Sequence, residues 1–125
     1  MTEEVKLGDL TKNFSRKEFI CPCCGKSAIS MRLVNLLQDM REVVGPICID
    51  SGFRCEKYNS DSLVGGMENS AHLRGLAVDV RVLTSSMRYD LLCMIPSRFR
   101  RFGVYKTWIH VDIDESLDQD VMWVG

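Results

Sequence analysis

"LAVDVRV", residues 76–82, alternates without a fault: Leu76, Val78, Val80 and Val82 project to one side, Ala77, Asp79 and Arg81 to the other. Successive side chains of a strand point to opposite faces, so the stretch reads as a strand with one apolar and one polar face. Asp79 puts a carboxylate on the polar face. Just upstream, "SAHLRG" (70–75) brings His72 to the mouth of the strand, and Gly75 allows a tight turn between the two. Further on, "WIHVDID" (108–114) repeats the pattern. There Ile109, Val111 and Ile113 face one way, and Trp108, His110, Asp112 and Asp114 the other. The chain has 2 histidines, and both fall at these alternating runs beside acidic residues.

The flanking sequence supplies partners for the two strands. "FGVY" (102–105) predicts a hairpin with "WIHVDID" around Lys106 and Thr107, and "ICID" (47–50) a short strand leading into "SGFR". A helix is expected from about Ser30 to Val44. Its stripe is Met31, Val34, Leu37, Met40 and Val44, widened by Leu33, Leu36 and Val43, and Gly45-Pro46 stops it. "FSRKEF" (14–19) reads as a short helix with Ser15 as cap, Glu18 closing a capping box and Phe14 and Phe19 as a staple. "TSSMRYDLLCMIP" (84–96) predicts a capped helix ended by Pro96, and Cys55 to Asn69 a loop with one helical turn. The sum is an α+β fold in one domain over residues 1–125. Helices pack on a small, largely antiparallel sheet whose polar face carries His72, Asp79 and His110.

Bulk properties narrow the function. At 125 residues, 46% hydrophobic and 26% charged, the chain has the composition of a folded globule. A formal charge of -1 gives no general attraction to nucleic acid or anionic lipid, and the arginines of "SRFRR" (97–101) read as a solvated face. No stretch has the length of a membrane span, and "MTEEVKLGDL" lacks secretory features. Synthesis in the cytoplasm without a signal peptide, and no stable membrane insertion, are therefore expected. The 6 cysteines argue for reduced thiols or metal rather than a disulfide framework. Cys21 and Cys24 of "CPCCG", with Cys23 between them, have the spacing of half a zinc site, but no second pair completes it. Free thiols are the expectation and a second, structural zinc the alternative; Cys48, Cys55 and Cys93 could contribute only through the fold.

If the two strands are near neighbours, two imidazoles and a carboxylate converge. Two nitrogens and one oxygen around an open fourth position are what a catalytic zinc requires. The competing reading is structural: strand histidines are commonly hydrogen-bonded core residues, and Asp79 could pair with Arg81 or Arg74.

The order "SGFR", "GGMENSAHLRGLAVDV", "WIHVD" resembles the zinc D-alanyl-D-alanine peptidases. That family takes in D-Ala-D-Ala carboxypeptidases, D,D-dipeptidases and phage L-Ala-D-Glu endolysins (the LAS-type metallopeptidases). The resemblance is greatest to short phage-type or prophage-type members and covers roughly residues 13–114. It implies zinc held by His72, Asp79 and His110, with Arg54 facing the scissile carbonyl and the substrate carboxylate and Ser70 hydrogen-bonding substrate. It implies hydrolysis of peptidoglycan stem peptides, with release through a holin or carriage on a virion as the route to the wall. One departure stands out. Thr107 occupies the position, three before the last zinc histidine, where several members carry an acidic general base. Asp112 is the nearest replacement, either as that base or as a second carboxylate orienting a zinc histidine. Two rival readings remain: a catalytically impaired relative that binds zinc or wall peptide, and a thiol enzyme pairing Cys55 or Cys48 with a histidine. The tail, 115–125, has no assigned role; Trp123 would close over a pocket or merely pack.

Overall fold

A computed structural model describes residues 7–61, 63–67 and 69–125. The first six residues, read above for signal features, lie outside these, as do two positions of the loop expected between Cys55 and Asn69. Among these residues five strands form one sheet: β1 (Ile49–Ser51), β2 (Ala77–Arg81), β3 (Arg101–Val104), β4 (Trp108–Asp112) and β5 (Val121–Val124). Their order is β1-β2-β4-β3-β5, and every pairing is antiparallel except β3 with β5. The helices are α1 (Met31–Val44), α2 (Glu56–Asn59) and α3 (Ser85–Arg98), with 3-10 turns at Arg16–Phe19 and Ala71–Arg74. The architecture is α+β with a largely antiparallel sheet, as the alternation predicts.

The two faces separate as the sequence demands. Val78, Val80, Ile109 and Val111 are fully buried in one core with Leu33, Val34, Leu37 and Met40 of α1 and Leu91 and Ile95 of α3. Truncating such a residue to alanine typically costs about 2–5 kcal/mol, and this face holds the sheet flat against the helices. The staple also forms, with the Phe14 and Phe19 rings 5.9 Å apart and the Glu18 carboxylate accepting from the Ser15 amide at 2.7 Å. The opposite face carries the polar side chains Asp79, His110 and Asp112.

Several boundaries differ from expectation. The α1 stripe is narrower than its apolar residues suggest, because Met31 (43% exposed) and Val43 (70%) point to solvent. β1 starts two residues late, at Ile49, although the Cys48 carbonyl still accepts from Arg81 N–H at 2.9 Å. Pro96 does not end α3. It withdraws only its own N–H from the ladder, Phe99 N–H still bonds the Ile95 carbonyl at 2.8 Å, and the helix runs on to Arg98. The tail, for which the sequence suggested no role, supplies β5. Its parallel pairing with β3 adds an edge that no local signal announces.

Candidate active site

Strand register builds the site. Asp79 on β2 lies directly opposite His110 on β4, and Ser51 on β1 lies opposite Asp79. His110 in turn faces Gly103 on β3, which faces Trp123 on β5. One row of polar-face positions thus crosses the whole sheet. His72 reaches the same point from the 3-10 turn before β2. That turn ends at Gly75 in the left-handed conformation (φ 68°), where an added Cβ would run into the Ala28 carbonyl.

The three side chains converge closely. His72 Nε2 is 3.3 Å and His110 Nδ1 3.1 Å from the same oxygen, Asp79 Oδ1. One ligand atom from each of the three lies within 4.8 Å of the others. The remaining ring nitrogens are fixed by acceptors: His72 Nδ1 donates to the Gly52 carbonyl at 2.8 Å and His110 Nε2 to Asp112 Oδ2 at 2.8 Å. Carbonyl and carboxylate oxygens only accept, so lone pairs of both rings are directed at the cluster. The second Asp79 oxygen takes a hydrogen bond from Arg54 Nη2 at 3.0 Å. Nitrogen, nitrogen and oxygen donors, with tautomers set from behind, suit a zinc ion with room for a further ligand.

Electrostatics agrees with that fit. Burial would raise the Asp79 carboxyl, but without a metal, hydrogen bonds from His110 and His72, made when those rings turn a proton rather than a lone pair toward it, outweigh burial and hold the group well below the usual carboxylate range. Burial would lower His110; its bonds to Asp112 and Asp79 win and raise it. Two carboxylates therefore favour positive charge at this point, whether a proton or a metal cation carries it.

The cluster forms the floor of a cavity of about 740 Å³. Arg54 is held at its edge, its Nε donating to Ser51 Oγ at 2.9 Å. Ser70 lines the cavity and caps the 3-10 turn, its Oγ accepting from His72 N–H at 3.2 Å; the hydroxyl proton stays available. Asp112 is 1% exposed. Its Oδ2 holds His110 and its Oδ1 accepts from Arg101 Nε at 2.8 Å. Among the described residues, Asp79 and Asp112 are the carboxylates that line the cavity. Thr107 is not among its lining residues.

Sequence reasoning missed part of the wall. Arg101 sits against Asp112 and under the Trp123 ring, 5.3 Å from its centroid, rather than on a solvated face. Tyr105 stacks on Trp108 at 4.5 Å, and its hydroxyl accepts from Trp123 Nε1 at 2.9 Å, leaving its own O–H to donate. Trp123 closes over the cavity, 5.3 Å from the His110 ring. The suggested partners of Asp79 are occupied elsewhere, Arg81 with Asp50 and Arg74 with Asp114. A thiol enzyme finds no footing: the histidines bond Gly52, Asp79 and Asp112, while the Cys55 sulfur stands beside that of Cys21. Burial raises the Cys21 thiol, yet the backbone N–H groups of Cys55, Cys24 and Cys23 outweigh it and bring it down to about 7.

No curated protein matches the chain. A family model described as Peptidase M15 matches residues 12–112. The matched span runs from the Phe14–Phe19 staple to the end of β4 and takes in His72, Asp79, His110, Arg54 and Asp112. With three side chains that could hold a metal ion inside a match over most of its length, the chain belongs to the Peptidase M15 family, whose members are generally zinc-dependent.

Proposed function

We propose that the protein hydrolyses a peptide bond in the stem peptides of peptidoglycan, with zinc on His72, Asp79 and His110. The observation that carries this reading is the convergence of these three side chains at the floor of a 740 Å³ cavity in an M15 chain. Zinc bound there supplies Lewis acidity toward a carbonyl and lowers the pKa of water. The chain's own residues do the rest. Arg54 directs a planar guanidinium into the cavity from its anchor on Ser51 and Asp79, suited to a developing oxyanion or a substrate carboxylate. The Ser70 and Tyr105 hydroxyls are free to donate to substrate. Trp108, Tyr105 and Trp123 form an aromatic wall that excludes water from one side. Asp112 orients His110 through Nε2 and is itself braced by Arg101.

Cleavage beside a D-residue, as in D-Ala-D-Ala carboxypeptidases, and cleavage at L-Ala-D-Glu, as in phage endolysins, are the two forms this activity takes. The former needs a free terminal carboxylate near Arg54. Incubation of purified protein with defined muropeptides, with and without zinc, followed by mass analysis, tests the reading. Loss of terminal D-alanine marks the carboxypeptidase form, release of an L-alanine terminus the endopeptidase form, and intact muropeptides in the presence of zinc would overturn both. A second reading is a relative that binds zinc and wall peptide without turnover. It is favoured by Thr107 at the family's acidic position and by the engagement of both Asp112 oxygens. Tight muropeptide binding with no product would select it.

A further inference from the structure

A second cluster of metal-ligating side chains is formed by cysteines and shares no residue with the histidine site. The sulfurs of Cys21, Cys24 and Cys55 all lie within 4.8 Å of one another, although the last is 31 residues beyond the second. Cys21 and Cys55 are 3.6 Å apart. Thiolates on one tetrahedral zinc, each about 2.3 Å from the metal, stand about 3.8 Å from each other, whereas a disulfide needs about 2.05 Å. The spacing is that of shared ligands and too long for a bond between sulfurs.

The backbone around the sulfurs is arranged for negative charge. Cys55 N–H points at Cys21 Sγ at 3.4 Å, and Tyr58 N–H at Cys55 Sγ at 3.4 Å. The "CPCCG" turn closes on itself, with Gly25 N–H bonding the Cys21 carbonyl and Cys21 N–H the Lys26 carbonyl, both at 2.8 Å. We propose that Cys21, Cys24 and Cys55 hold a second zinc ion, structural in role and independent of the one at the histidines. The fourth position belongs to water or to the neighbouring, exposed Cys23. The site ties the N-terminal segment to the chain immediately after Arg54. The same two segments already meet where Phe53 N–H bonds the Phe19 carbonyl at 3.0 Å.

The test is metal content by native mass spectrometry on protein purified under reducing conditions with zinc. Wild type should carry two zinc ions. The His72→Ala, His110→Ala double variant should keep one, and a Cys21→Ser, Cys24→Ser double variant should also keep one. Cys23→Ser should keep both. Because the cysteine variant could fail to fold, wild-type protein gives two further readouts. Cobalt substitution should produce the near-ultraviolet thiolate-to-metal charge-transfer absorption that histidine and aspartate ligands cannot give. Alkylation of Cys21, Cys24 and Cys55 should be blocked until a chelator is added, with the exposed Cys48 and Cys93 labelled throughout as controls. No metal in a folded histidine double variant, absence of the charge-transfer band, alkylation indifferent to chelator, or a Cys21–Cys55 disulfide in the purified protein would each overturn the proposal. None of these outcomes depends on peptidase activity, so the second zinc and the catalytic reading stand or fall separately.

Discussion

Asp112 and Arg54 frame the site at the scale of single residues. Both Asp112 oxygens are engaged, one with His110 and one with Arg101, in a position that is 1% exposed. A carboxylate so held steadies a ligand better than it shuttles protons. Asp112→Asn is therefore expected to weaken zinc binding by about ten- to a hundredfold, with activity returning in excess zinc. Competition against a chromophoric chelator measures the first and assays across zinc concentrations the second. Retained affinity with turnover down by roughly two to four orders of magnitude would instead make Asp112 the base. Arg54 bonds both Ser51 and Asp79 with different nitrogens of one fork, a geometry that lysine cannot copy. Arg54→Ala should lower kcat and kcat/KM together by about a hundredfold, with Arg54→Lys a poor rescue. A rise in KM alone would mean that it only holds a substrate carboxylate. Asp79 and His110 could be placed on polar strand faces because each sits on a strictly alternating run, whereas His72, in the turn before β2, joined them through the family resemblance. Arg101 and Tyr105 were not legible in the sequence, since their approach depends on how β3 pairs with β4 and where β5 lies.

At the scale of elements, β3 carries the site without contributing a ligand. Gly103 sits between His110 and Trp123 in the row across the sheet, and a Cβ there would fall 2.1 Å from Trp123 Nε1. The indole lies over β3 toward His110 only because that position has no side chain. Gly103→Ala should displace Trp123 and break its bond to Tyr105, at about 1–3 kcal/mol of stability. Enzyme assays should show a higher KM, and Trp123→Phe should reproduce much of that rise without the stability loss seen by thermal melting. An unchanged KM in both variants would make the indole mere packing. Local signals accounted for α1, β2 and β4, where periodicity and caps are strong. They failed at the end of α3, because the backbone tolerates a proline in a last turn. They failed at β5 too, since "VMWV" owes its strand conformation to a partner strand about twenty residues earlier.

Over the whole molecule, the ends of the site are braced by a pair that sequence spacing could not reveal. Arg74, just after His72, donates to Asp114, just after β4, through Nε at 2.6 Å, and Ser116 N–H donates to the other oxygen at 3.0 Å. Burial would raise Asp114, but the Ser116 hydroxyl, Arg74 and the Ser116 amide outweigh it and depress the group. A carboxyl depressed on folding contributes stability above its unfolded value, about 3.9, and loses that contribution as pH falls toward the folded value. Asp114→Asn should thus destabilise the metal-free protein by roughly 1–3 kcal/mol at neutral pH, with the gap to wild type narrowing below about pH 4. Urea unfolding at several pH values reads this; a gap independent of pH would assign the loss to packing. The α+β class was legible as a whole, while the strand order was not, because β3 enters between β4 and the late β5. The cavity that this order encloses also has a consequence for encounter. Arg54 and Arg101 carry two positive charges, Asp79 and Asp112 two negative ones, so the basin's own side chains are close to neutral. A bound divalent ion tips the basin to a net double positive, and a funnel of that sign draws in acidic partners from a distance. Peptides bearing free carboxylates should then be captured faster at low ionic strength, kcat/KM falling with added salt while kcat holds, and their amidated counterparts should show a much flatter response.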